Sequence, residues 1–223
     1  MSTAAHGEPL ALGVLASGSG SNLQALIDAI AAGSVRARIA VVISDNADAY
    51  ALERARSAEI PAVLVDRATF DDPRTYNAAI RDALLAHGLV AGGEPDGSGR
   101  GGVVVMAGYM RLLGVEVLDA FPMRVVNLHP ALLPSFPGAH GIADALAHGV
   151  KVTGVTVHFA DAEFDRGPII AQRAVAVVEG DSEESLATRI HEAEHALLPE
   201  VIGLIADGRV SVHGRRVSVA PAR

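Results

Sequence analysis

Short runs apolar at odd and even positions alike alternate with longer amphipathic stretches up to residue 128. The runs are "LALGVLA" (10–16), "RIAVVIS" (38–44), "AVLV" (62–65), "VVVMAG" (103–108) and "RVVNL" (124–128). A strand apolar on both faces belongs inside a sheet covered on both sides. Between the runs, residues 22–32, 48–59, 75–87 and 114–120 repeat apolar positions at helical spacing. The alternation predicts an α/β chain: a Rossmann-like open, mostly parallel sheet with helices on both faces. After residue 138 the order changes. A short helix near 141–148 precedes "KVTGVTVHFA" and "PIIAQRAVAVV", and a long helix comes next over 182–207. "RVSVHG" and "RRVSV" then predict a small C-terminal hairpin.

The chain has 223 residues, half of them hydrophobic, enough for a sizeable core in one domain. That domain is expected over 10–208, after a disordered tail at 1–9 and before a hairpin and tail at 209–223. The stretch 91–102 holds six glycines and a proline and reads as a mobile loop inserted into the domain. A net charge of −8 argues against coating nucleic acid. No apolar run approaches the ~20 residues that span a bilayer, and no basic segment precedes the first apolar run. A cytoplasmic protein with small-molecule partners is therefore expected, with no membrane and no nucleic acid. The absence of cysteine excludes disulfides and thiolate metal sites.

Three motifs carry candidate chemistry. "ASGSGSNLQ" (16–24) joins the first strand to the first helix, and Ser21 with Gln24 fits a capping box that starts the helix at Asn22. Free N–H groups at such a start suit a phosphate, and an ordinary tight turn would have the same composition. Gly18 and Gly20, with Asp45 downstream, partly match a dinucleotide fingerprint, but Leu23 stands where its third glycine would allow close packing. "HEAEH" (191–195) matches a zinc-protease helix, yet no glutamate comes after Glu200 to supply a third ligand. Leu186, Ile190, Ala193, Leu197 and Leu204 form that helix's core stripe. His191 and His195 point away from it and Glu194 lies at its edge, so a solvated face lining a cleft is expected and no metal.

The third motif is "NLHPALLPSFPG" (127–138). Asn127 and His129 alternate at the carboxyl end of a strand, where open α/β sheets place ligands. Pro130, Pro134 and Pro137 stiffen the loop beyond that strand. Further on, "VTVHFADAEFDRGPI" (155–169) supplies His158 and, in a loop before a Gly-Pro turn, Asp165. An amide, one or two imidazoles and a carboxylate on strand ends could serve acyl transfer. They could equally cap a strand and a turn. Without a cysteine or a serine elbow, the nucleophile would have to come from a substrate. A zinc hydrolase, a dinucleotide dehydrogenase and a non-catalytic phosphate-binding domain remain open at this point.

Taken together, "SGSGSNLQALIDAI", "ISDNADAYALERA", "MAGYMRLL", "NLHPALLPSFPG", "GVTVHFADAEFDRGPI" and "AEHALLP" resemble the phosphoribosylglycinamide formyltransferase family of folate-dependent formyltransferases. The resemblance runs from about Leu12 to Gly208. "SGSGSN" separates it from the formyltransferases acting on methionyl-tRNA. Formyltetrahydrofolate deformylases usually carry an N-terminal regulatory domain, for which no room is expected. The resemblance implies formyl transfer from 10-formyltetrahydrofolate, as co-substrate, to the amine of the glycinamide ribonucleotide, with no metal. It implies a catalytic trio of Asn127, His129 and Asp165 with His158 behind it. Gly20, Ser21 and Asn22 would hold the ribonucleotide phosphate, and His191 and Glu194 would touch the ribonucleotide. Met110, Arg111, Leu112 and Leu113 would read the folate, with Asp161 to Asp165 as the opposite wall and Arg74 as a folate-side arginine. A homodimer is possible. The sequence departs from the family at Ser44-Asp45 (usually Ser-Asn), at Ala51, and in the longer 91–102 loop.

Overall fold

The computed structural model describes residues 8–92 and 101–222. The expected tail at 1–9 lies mostly, and the tip of the expected 91–102 loop wholly, outside the described residues. Nine strands form one sheet: β1 (Leu10–Leu15), β2 (Ala37–Ser44), β3 (Ala62–Leu64), β4 (Val103–Met106), β5 (Val125–His129), β6 (Val152–Phe159), β7 (Ile169–Ala176), β8 (Val210–His213) and β9 (Arg216–Val219). Their order is β3-β2-β1-β4-β5-β6-β7-β9-β8. Neighbours from β3 through β5 are parallel, and β6 pairs antiparallel with both β5 and β7. The C-terminal hairpin β8–β9 joins β7 through a single parallel pair, Ile169 with Arg216.

Helices α1 (Ser21–Ala31), α2 (Tyr50–Ser57) and α6 (Glu183–Ala206) pack on one face with β1 residues Leu12 and Val14. Helices α3 (Pro73–Ala86) and α4 (Val115–Leu118) cover the other, against Leu15, Val41 and Val104. The short α5 (Gly141–His148) comes after β5. Caps explain the sharp starts. The Asp72 carboxylate accepts from the Arg74 N–H at 2.9 Å with Pro73 opening α3. Ser182 and Ser185 cap each other at the start of α6. A 3₁₀ turn at Arg67–Thr69, capped by Asp66, had no sequence signal.

The start of α1 corrects an expectation. The helix begins at Ser21, one residue early, and its cap is Gly20 in the left-handed region (φ 70°) with no side-chain bond. The expected Ser21–Gln24 box does not form. Gln24 is drawn away instead, donating to Asp28 and accepting from Arg54, both at 2.9 Å. A side chain at Gly20 would also sit 2.8 Å from the Ala51 Cα, so the position needs glycine twice over. Leu23 is fully buried against the sheet. Truncating it to alanine would cost roughly 2–5 kcal/mol.

Strand order reverses between β1 and β4: α1 and α2 lead outward to β3, and α3 returns across the opposite face. The crevice beyond the carboxyl ends of the strands at such a reversal is where open α/β sheets bind ligands.

Candidate active site

A cavity of about 850 Å³ opens at that crevice. The Ser17–Asn22 turn after β1, the Met106–Leu113 segment after β4, Asn127 to Pro130 from β5, His158 from β6, part of the 160–165 loop, and His191 and Glu194 of α6 all line it. Asn127 and His129 lie two apart on β5, so their side chains leave the same face. Antiparallel register puts His158 directly opposite Asn127. Asp165 arrives from the β6–β7 connection. That connection closes tightly because a Cβ at Gly167 would lie 1.8 Å from the Phe159 carbonyl oxygen. Asp165 itself takes a left-handed backbone (φ 54°).

The four side chains form one polar cluster. His129 Nδ1 lies 3.4 Å from Asp165 Oδ2, and its Nε2 lies 2.8 Å from the Phe136 carbonyl oxygen. A carbonyl only accepts, so Nε2 carries a proton, and Nδ1 faces the Asp165 carboxyl. His158 Nδ1 faces its neighbour's carbonyl, Phe159 O, at 2.9 Å and is likewise protonated. Its Nε2 lies 3.1 Å from Asn127 Nδ2 and 3.6 Å from Asp165 Oδ1. Asn127 Nδ2 also reaches Asp165 Oδ1 at 3.4 Å, and the Gly138 N–H donates to Asp165 Oδ2 at 2.8 Å. Burial pushes the Asp165 carboxyl up, but contacts from His158 and Gly138 and the field of His129 outweigh it, so its pKa lies below the usual value. A buried anion here is well supplied with donors.

At the Gly/Ser turn, the first helical bond runs from the Gln24 N–H to Gly20 O at 2.9 Å, leaving the N–H groups of Ser21, Asn22 and Leu23 without a helical acceptor. Asn22 is buried, donates through Nδ2 to Glu194 Oε2 at 2.9 Å and keeps Oδ1 unpaired. The same Glu194 oxygen meets His191 Nδ1 at 2.9 Å. That contact raises the His191 pKa, against the opposing effect of burial. Glu194 is buried and committed to Asn22 and His191, and both it and His191 line the cavity. Among the described residues, no group of three His, Cys, Asp or Glu is placed to hold a metal.

Known proteins resemble this chain over most of its length. Residues 11–202 match the formyl transferase family. This chain belongs to that family. It is 46% identical over 211 residues to the phosphoribosylglycinamide formyltransferase of Mycobacterium tuberculosis, covering 95% of this chain and 92% of that one. The Escherichia coli protein of the same name is 41% identical over 200 residues, covering 90% and 89%. The crystal structure of glycinamide ribonucleotide transformylase 1 from Symbiobacterium toebii superposes with a TM-score of 0.89 at 47% identity, covering 96% of each chain.

Within this formyl transferase the remaining expected residues divide. Met110, Arg111, Leu112, Leu113 and Asp161 line the cavity. Met110 and Leu112 are exposed over 64% and 42% of their surface and form an apolar part of its rim. Arg74 does not line it. Its side chain, 80% exposed, reaches Glu116 at 3.1 Å outside the cavity lining. Arg111 is the cavity's arginine, and Asp45, the residue that departs from the family's Ser-Asn, pairs with it. That pairing spans 66 positions and left no signal in the sequence. Nor did the backbone groups that hold the site, Phe136 O and Gly138 N–H, or Tyr109, whose buried hydroxyl bonds Tyr76. Phe164 is 58% exposed on the cavity wall, inside the expected 161–165 segment.

Proposed function

We propose that this chain transfers the formyl group of 10-formyltetrahydrofolate to the amine of 5'-phosphoribosylglycinamide, by direct attack and through a tetrahedral intermediate. The observation that carries the reading is that Asn127 and His129 each come to 3.4 Å from Asp165 in a cavity that also holds the start of α1. The N–H groups of Gly20, Ser21 and Asn22 take the phosphate, and Glu194 and His191 face the rest of the ribonucleotide. The folate lies between the Met110–Leu113 segment and the Asp161–Asp165 loop, with Arg111 nearby.

In the chemical step the neutral amine attacks the formyl carbon. The new C–N bond forms as the carbonyl π pair moves onto oxygen. Asn127 donates to that oxyanion, and the imidazolium of His129, fixed between Phe136 O and Asp165, stabilises its charge. Asp165 accepts a proton from the attacking amine and passes it to N10 of the folate. Collapse of the intermediate then breaks the C–N10 bond and releases tetrahydrofolate. None of these steps uses a metal. Small molecules are the partners and the cytoplasm the compartment of such a biosynthetic enzyme.

The direct test mixes protein with 10-formyltetrahydrofolate, with and without the ribonucleotide, and monitors absorbance of the deformylated folate. Release only with the ribonucleotide supports the transferase. Equal release without it makes the chain a deformylase and ends this reading.

A further inference from the structure

Successive carbonyls decide how the Ser17–Gly20 turn presents itself. Ser17 O accepts from Asn46 Nδ2 at 3.3 Å, Gly18 O from the Ala51 N–H at 3.1 Å, and Ser19 O from Arg54 Nε at 2.8 Å. All three donors come from α2 or the connection leading into it. In a planar trans peptide the N–H of the next residue points opposite to the carbonyl. Pinning these oxygens on the α2 side therefore turns the N–H groups of Gly18, Ser19 and Gly20 away from α2, and Ser17 to Asn22 all line the cavity. Consecutive N–H groups turned one way form a nest for an anion. A second mark of a ligand lies beside it: Asn22, only 7% exposed and lining the cavity, keeps its carbonyl Oδ1 unpaired, an acceptor that suits a hydroxyl or N–H donor on the molecule whose anion the nest holds.

Of the three donors only Arg54 is charged, and it holds two elements at once. Its Nε takes Ser19 O, its Nη1 takes Gln24 Oε1 of α1 at 2.9 Å, and its guanidinium stacks 4.9 Å from the centre of the Tyr50 ring. We propose that Arg54 is a positioning residue for the phosphate of the ribonucleotide: it fixes the Ser19–Gly20 peptide so that the Gly20 N–H enters the nest. The proposal rests on the functional reading above. A planar fork can hold both acceptors in one geometry, and a lysine ammonium cannot. If Arg54 only docked α2 onto the fold, its loss would lower thermal stability and disturb both substrates alike.

The test measures both KM values, kcat, competitive inhibition by inorganic phosphate and the melting temperature for the native chain, Arg54→Met and Arg54→Lys. Arg54→Met should raise the ribonucleotide KM about ten-fold or more, as expected when a hydrogen bond from a charged donor is lost. It should weaken phosphate inhibition by a similar factor and leave the formyl folate KM and kcat within about two-fold. Arg54→Lys, which keeps the charge, should be folded and lie between. An unchanged ribonucleotide KM in both variants, or parallel rises in both KM values, overturns the proposal while leaving the transferase reading intact. If Arg54→Met does not fold, the ratio of the two KM values in Arg54→Lys decides alone. No turnover by the native chain would instead fail the parent reading.

Discussion

Asp165→Asn isolates the charge at the centre of the site. Asparagine nearly matches the shape, still accepts from the Gly138 N–H, and tolerates the left-handed backbone that Asp165 adopts. What disappears is the anion 3.4 Å from His129 Nδ1, on a side chain only 5% exposed. At that distance and an effective dielectric near 20, an ion pair carries ~5 kcal/mol of gross attraction. The lower desolvation cost of a neutral amide offsets part of this, leaving about 3–4 kcal/mol for stabilising His129 as charge develops. With 1.36 kcal/mol per decade, kcat should fall by roughly 10²–10³. Loss of the proton relay deepens the effect. Stopped-flow absorbance under single-turnover conditions reads the step directly, and the melting temperature at pH 7 reports the fold. The Asp165 carboxyl is depressed, so its contribution to stability is fully present above the ordinary value of ~3.9 and is lost as pH falls through the lowered one. Asp165→Asn should therefore lose rate at every pH from 6 to 9, with no new acid limb. Turnover within ten-fold of the native chain would refute the assignment of both charge and relay to Asp165.

Asn127→Ala should cut kcat by about 10²–10³, the usual cost of one oxyanion donor, and a loss below ten-fold would remove the amide from that role. Asn22→Ala should raise the ribonucleotide KM more than the folate KM; equal rises would contradict a ribonucleotide-side position. The raised pKa of His191 means that its contact with Glu194 stabilises the fold fully below ~6.5 and fades as pH climbs through the raised value. The melting-temperature gap between the native chain and His191→Gln should shrink from pH 6 to pH 9, and a constant gap would show that the charge is idle. Gly20→Ala forces a side chain into the left-handed region against Ala51, costing about 1–3 kcal/mol; an unchanged melting curve would mean that α2 yields freely.

Much of the frame was legible because β1, β2, β4 and β5 are apolar on both faces, a pattern only a doubly covered strand tolerates. Strand ends came within about two residues for the same reason. The start of α1 was misread because Ser21 and Gln24 have capping-box chemistry, while the left-handed Gly20 and the pull of Arg54 on Gln24 decide the local geometry. The contact of Arg74 with Glu116 left no local signal either, since 42 positions separate the two.

By itself the sequence determined which residues could do chemistry: periodicity buried the strands, and alternation on β5 put Asn127 and His129 on one face. Only the tertiary structure decided that they act together. The register of β6 on β5 sets His158 opposite Asn127, and the closed turn at Gly167 carries Asp165 back to both histidines. Contacts between residues far apart in the chain depend on strand order and loop closure, and neither is written in the local spacing of side chains.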